Sequence, residues 1–210
     1  MKNSKKLIEI YKILYKEYNN KTIILNYSND LELLIAVILS AQSKDTQVNK
    51  ITEKLFKKYK NIDDYIKSNI NILQDDIKSI GLYKNKAKNI KNTCIKLKEE
   101  FNYKIPNTIG DLIKLNGVGR KVANVVLNKL YNKNEGIAVD THMIRVNNRI
   151  GFVNTKNTVK IEKELIEILP KELWGNYTNL IIGLGRDKCI KIPKCDECKI
   201  KKYCNNKLYR

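Results

Sequence analysis

The 210-residue sequence is poor in several residue types: one histidine, one tryptophan, three prolines and nine glycines. Two of these scarcities exclude something. A lone histidine, His142, excludes a His-rich metal site and the usual Cys/His zinc finger. Three prolines, Pro106, Pro170 and Pro193, leave no proline-rich linker. The longest purely apolar run, Leu33 to Leu39, falls far short of a membrane span, so no membrane contact is expected. The opening Met1-Lys2-Asn3-Ser4-Lys5-Lys6-Leu7 has neither an apolar signal core nor a small-residue cleavage site. The expectation is a cytoplasmic, nucleoid-associated chain without a signal or transit peptide. Acidic residues are also few: 22 against 41 basic ones, a formal net charge of +19. That excess favours a polyanionic partner. Only five of the basic residues are arginines, however, and a lysine-rich composition also arises from surface solvation alone.

What is present reads as helix. Hydrophobic content of 42% is globular. Leu7, Ile10, Tyr11, Leu14 and Tyr18 share one face at helical spacing, as do Leu31, Leu34, Ile35 and Ile38, and then Val48, Ile51, Leu55 and Tyr59. A long helical pattern covers Tyr83 to Phe101. Thr108-Ile109-Gly110-Asp111 reads as a capped helix start. Further helices are expected over Arg120 to Tyr131, Asp140 to Ile150, Thr158 to Leu169 and Glu172 to Leu184. No segment alternates with period two, so the fold class is all-α.

Leu115-Asn116-Gly117-Val118-Gly119-Arg120-Lys121 lies between two helical patterns. Gly117 and Gly119 allow a tight turn with positive φ and a close approach of another chain. The helix that follows directs N–H groups outward, an arrangement that binds phosphate. This is a helix-hairpin-helix, a device that grips DNA backbone without reading sequence. An ordinary interhelical turn is the plain alternative. Lys121 stands in the first helical turn, where the helix dipole disfavours its charge. It is either a nucleophile, which must be neutral to attack, or a phosphate contact. Asp140 suits a helix N-cap. It equally suits a carboxylate that stabilises developing positive charge or shuttles protons. His142 reads as a packing or supporting residue.

Cys189, Cys195, Cys198 and Cys204 place four thiols within sixteen residues, whereas Cys94 stands alone and reads as a small buried residue. Without an export signal, the four read as a metal site. Only one Cys-x2-Cys knuckle is present, so the spacing favours an iron–sulfur cubane over a zinc ribbon. Lys188, Lys191, Lys194, Lys199, Lys201 and Lys202 surround the ligands and balance cluster charge or make a basic loop.

These motifs together resemble the endonuclease III family of DNA glycosylases, from about residue 28 to 204. The likeness runs through Leu33-Leu34-Ile35-Ala36-Val37-Ile38-Leu39-Ser40-Ala41-Gln42 with Asp45, and Gly81-Leu82-Tyr83. It continues in Leu115-x-Gly117-Val118-Gly119-Arg120-Lys121-x-Ala123-Asn124-Val125-Val126, Val139-Asp140-Thr141-His142, Gly185-Arg186 and the four cysteines. The resemblance implies a six-helix barrel domain over residues 24–134. It also implies a discontinuous helical domain over 1–23 and 135–210 that carries a [4Fe–4S] cluster on Cys189, Cys195, Cys198 and Cys204. By the same likeness Lys121 is the Schiff-base nucleophile and Asp140 the catalytic carboxylate. Gln42 fills the gap left by a flipped nucleotide, Leu82 is the wedge beside it, and Gly117, Gly119 and Arg120 contact DNA. The implied activity is removal of oxidised or ring-saturated pyrimidines from double-stranded DNA, with β-elimination at abasic sites, by a monomer. A monofunctional mismatch glycosylase of the same superfamily is the nearest rival, but such enzymes lack the hairpin lysine. A non-catalytic DNA-binding module is a second, and an iron–sulfur electron carrier a third. Two departures stand out. Five residues, Ile190 to Lys194, separate the first two cysteines where the family usually has six, and Leu184 replaces the histidine common before Gly-Arg.

Overall fold

The computed structural model describes residues 2–19 and 25–205. The described residues contain helices and turns and no strand. The chain divides into two compact units, Ile23–Lys133 and Met1–Thr22 with Asn134–Arg210.

The first unit is built around α2 (Asp30–Ser40). Every residue from Leu33 to Leu39 is buried, which explains the apolar run: the helix is covered on all sides. It packs against α3 (Asp45–Lys58), α6 (Tyr83–Phe101) and α8 (Arg120–Tyr131). Two short helices, α4 (Ile62–Lys67) and α5 (Ile70–Asp76), pack on α6. Neither has enough turns to show a clear period in the sequence, and sequence reasoning passed over both. Asparagines start these elements. The side chain of Asn29 caps α2, Asn61 forms a capping box with Asp64, and Asn69 caps α5. The capped start at Thr108 is present: its hydroxyl accepts from the Asp111 N–H and opens the single-turn α7 (Ile109–Leu112). Cys94 is fully buried on α6, and burial pushes its thiol up to about 12.

In the second unit α1 (Lys2–Tyr18) packs on α10 (Thr158–Ile168) and α11 (Trp174–Asp187), and α11 packs on α9 (Thr141–Ile150). Leu7, Ile10, Leu14 and Tyr18 meet Met143, Val146, Ile161, Leu165, Tyr177 and Ile181 in one apolar core. The cysteine segment after α11 has only two short 3-10 turns, Cys195–Glu197 and Lys201–Tyr203. Among the described residues no helix is long and apolar enough to cross a membrane.

Candidate functional site

The hairpin joins α7 to α8. Leu115 and Val118 are buried and anchor it, while Gly117, Gly119, Arg120 and Lys121 are exposed. The two glycines do different work. Gly117 alone has a positive φ, +79°, and a Cβ there would come within about 3.0 Å of Asn89 on α6. Gly119 has φ −87° and open space around its missing Cβ. The sequence suggested positive φ for the pair. The second glycine instead acts as the α8 N-cap, supplying no side-chain oxygen and leaving the helix start uncovered. Thr93 donates to the Asn116 carbonyl at 2.8 Å, and Lys96 to the Lys114 carbonyl at 2.7 Å, so α6 holds the hairpin from beneath. Lys121 occupies the first turn of α8.

The same unit contains two strained turns. Gln42, just past α2, has φ +55°, and Leu82, the N-cap of α6, has φ +61°. A left-handed backbone is unfavourable for both side chains. Gln42 is exposed, and Leu82 is 58% exposed. A solvent-facing leucine on a strained turn is not a core residue. Asn89, which touches Gly117, lies seven residues after Leu82 on the same helix, about 10 Å along its axis.

Asp140 belongs to the other unit and is the N-cap of α9. Its Oδ1 accepts from the Met143 N–H at 2.9 Å, so the capping role read from the sequence is present. The segment leading into it is pinned by groups that sequence reasoning missed. Glu162 accepts from the Ile137 N–H at 3.2 Å, and Thr178 donates to the Ala138 carbonyl at 3.0 Å. Both side chains are buried, and both lie far along the chain, which hides them from local pattern reading. His142 is half-buried, and Arg145 approaches its Nδ1 at 3.0 Å. Gly185 leaves it room, because a Cβ there would sit 2.6 Å from that nitrogen.

All four clustered cysteines line one cavity of about 40 Å³, together with Arg149, Leu184, Pro193 and Ile200. Their thiols influence one another. Burial, and then the neighbouring sulfurs, push Cys204 up to about 11, and burial leads the upward shift at Cys198. Among the described residues, no three His, Cys, Asp or Glu side chains converge tightly enough to hold a single metal ion. The shortened segment still closes, with the Lys194 N–H donating to the Lys188 carbonyl at 2.9 Å. Arg149 donates to the Ile190 carbonyl at 2.6 Å, to the Lys191 carbonyl at 3.0 Å and to the Cys189 sulfur at 3.3 Å. Arg145 donates to the carbonyls of Cys189 and Gly185. Two of the surrounding lysines are paired locally, Lys188 with Glu197 and Lys201 with Asp196, so they do not serve the sulfurs alone.

Comparison with known proteins agrees with this geometry. The family model described as "HhH-GPD superfamily base excision DNA repair protein" matches residues 35–171. An endonuclease III of Buchnera aphidicola subsp. Schizaphis graminum is 45% identical over 96% of this chain and 97% of its own. That of Bacillus subtilis is 44% identical over 85% of this chain and 82% of its own. The chain belongs to the endonuclease III family, within the HhH-GPD superfamily. A solved trapped endonuclease III–DNA covalent intermediate superposes with a TM-score of 0.91 at 40% identity, covering 96% of this chain and 95% of that one. A thermostable thymine-DNA glycosylase at 22% identity and a TM-score of 0.85 shares the fold. As a member of this family, the chain is a base-excision DNA glycosylase and AP lyase with the expected all-α fold.

Two ties in the first unit went unread in the sequence. Lys86 on α6 is 5% exposed, and its ammonium donates to the Leu39 carbonyl and the Ser43 hydroxyl, each at 2.8 Å. Gln47 on α3 donates to the Ser79 carbonyl. A lysine or glutamine in a charged, solvated stretch carries no local signal of such a contact.

Proposed function

We propose that Lys121 is the nucleophile of both reactions and that Asp140 assists it. The observation that carries this reading is the exposed Lys121 in the first turn of α8, behind a glycine N-cap with no side chain. The helix start offers N–H groups and a positive dipole end to a phosphate. DNA held there presents its sugar to the lysine amine. In its neutral form, Nζ attacks C1′ of the damaged nucleotide. The N-glycosidic bond breaks and the base leaves with the bonding pair, taking up a proton. The new ammonium on C1′ gives up a proton, and as its nitrogen lone pair forms the C1′=N iminium the C1′–O4′ bond breaks and the ring oxygen leaves with the bonding pair, taking up a proton. That iminium acidifies the C2′ proton, and its removal expels the 3′ phosphate by β-elimination. The carboxylate of Asp140 stabilises the positive charge that develops on the sugar and carries protons.

The substrate in this reading is double-stranded DNA with an oxidised or ring-saturated pyrimidine, or an abasic site, bound by a monomer. The base must leave the stack to react. Leu82 enters the stack as a wedge and Gln42 occupies the vacated position. Their exposure on strained turns supports this. Gly117, Gly119 and Arg120 hold the backbone.

Cys189, Cys195, Cys198 and Cys204 would hold a [4Fe–4S] cluster. The residues fit it. The donors are four thiols around one cavity, the donor chemistry such a cluster takes. When bound, the cluster supplies a covalent cross-link for a segment with little regular structure of its own.

The test is borohydride trapping on a thymine-glycol duplex and an abasic duplex. Lys121→Gln keeps a polar side chain, one bond shorter, and removes the amine, so DNA binding survives while trapping and strand cleavage vanish. A trapped adduct at the wild-type rate would assign the chemistry to another amine. Absence of cleavage by the wild type on both substrates would favour the non-catalytic binding module.

A further inference from the structure

Lys86 is a buried charge that the mechanism does not use. Its side chain is 5% exposed. Burial lowers its pKa. An ammonium out of water is expensive unless its donors are satisfied. Here they meet the C-terminal end of α2 at the Leu39 carbonyl, and the Ser43 hydroxyl beyond it. The end of a helix carries partial negative charge, which offsets part of the burial cost. The two acceptors bracket Ala41 and Gln42, the stretch where the backbone turns left-handed. Lys86 itself begins the second turn of α6, the helix that opens at the Leu82 turn.

A second tie runs the opposite way. Gln47, beyond the Gln42 turn, donates to the carbonyl of Ser79, just before the Leu82 turn. Each exposed finger is therefore held by a side chain that arises beyond the other. A strained backbone persists only where its surroundings fix it.

We propose that Lys86 is a positioning residue that locks the Gln42 turn to the Leu82 helix, so that the two fingers enter opened DNA as one preset pair. The inference rests on the Gln42 and Leu82 reading given above and adds the group that preorganises it. Rigid presentation lowers the ordering penalty at the moment of binding, and that matters most when the duplex must be opened.

The test compares single-turnover base release from a fully paired lesion duplex and from the same lesion in a pre-opened bubble. Lys86→Met keeps the aliphatic stem and removes the donors. It slows release from the paired duplex about 10- to 100-fold, the range expected for lost hydrogen bonds to a charged group. Release from the bubble changes far less. Ser43→Ala removes one acceptor without opening the core. It shows the same pattern at smaller size with a near-wild-type melting temperature, and it decides the matter if Lys86→Met fails to fold. In combination with Gln42→Ala, Lys86→Met adds little further loss, because both act through one turn. Equal losses on both substrates, or losses that multiply in the double variant, would overturn the proposal. If Gln42→Ala is slow while both Lys86→Met and Ser43→Ala match wild type, the proposal alone falls. If Gln42→Ala itself matches wild type on the paired duplex, the Gln42 assignment falls and takes the proposal with it.

Discussion

The hairpin at 115–121 and the cysteine segment at 189–204 are both short, basic and poor in regular structure, yet they are held by opposite means. The hairpin is held from within its own helical neighbourhood. Buried Leu115 and Val118 anchor it, and Thr93 and Lys96 of α6 cap its carbonyls. The cysteine segment has only two 3-10 turns of its own. Its first loop hangs on Arg145 and Arg149, which reach from α9 to the carbonyls of Cys189, Ile190 and Lys191. A backbone grip for phosphate must be shaped before its ligand arrives. A segment that receives a cross-linking group can leave part of its order to that group.

The largest effect should come from removing that group. Cys195→Ser combined with Cys198→Ser would eliminate iron binding. Loss of a structural metal couples directly to folding, and a drop in melting temperature of about 10 °C or more is expected for a chain of this size. Hydrogen exchange separates the two regions: amides of the cysteine segment and α11 lose protection, and those of the hairpin and α8 keep theirs. Uniform loss of protection would erase the contrast. Wild-type melting with no iron bound would show that the arginines suffice.

A smaller effect separates the two glycines of the hairpin. Gly117→Ala forces a left-handed backbone on a side chain and crowds Asn89, so destabilisation of about 1–2 kcal/mol is expected. Gly119→Ala meets neither obstacle, but alanine is a poorer N-cap than glycine, so a smaller loss of about 0.5–1 kcal/mol is expected. Its new methyl group stands over the helix start, so DNA affinity should fall although the chain stays folded. Equilibrium denaturation and DNA titration on both variants check this. Normal binding by Gly119→Ala would show that DNA does not approach that backbone.

The contrast also explains what was legible in the sequence. Glycine spacing, a following helix and clustered cysteines are local signals, and the hairpin, the Thr108 cap, the Asp140 cap and the cysteine cavity were all visible in them. The division of labour between Gly117 and Gly119 was not, because it depends on where Asn89 lies. The left-handed turns at Gln42 and Leu82 were invisible to conformational reasoning, since neither residue favours that backbone. Lys86, Glu162 and Thr178 were missed for a shared reason. A polar residue reads as solvated until the distant carbonyl or N–H it serves is known. Arg145 and Arg149 belong with them: the sequence drew attention to the lysines around the cysteines, but the segment is tied by arginines some 40 residues away.

The smallest effect should appear on acidification, through His142. Arg145 donates to its Nδ1 at 3.0 Å while also holding the carbonyls of Cys189 and Gly185. That geometry requires a neutral Nδ1. Burial is the main cause that lowers the His142 pKa below 6.5. Asp140 opposes the shift, and Arg145 and Arg186 add to it. The sign follows from proton uptake. The unfolded chain protonates this imidazole near 6.5 while the folded chain resists, so the unfolded state binds more protons in that window. The contribution to stability is complete above about 6.5 and is lost as pH falls through the folded pKa. Protonation turns the acceptor of Arg145 into a competing donor, which loosens the arginine from the first cysteine loop. As His142 is the only histidine, its imidazole signal can be followed by NMR without assignment, and its midpoint should fall below 6.5. Amide exchange around Cys189 and Ile190 should quicken across the same range after correction for intrinsic rates, with the hairpin unchanged. A midpoint above 6.5 would mean that Asp140 outweighs burial, and the cysteine segment would then gain stability on acidification through that range.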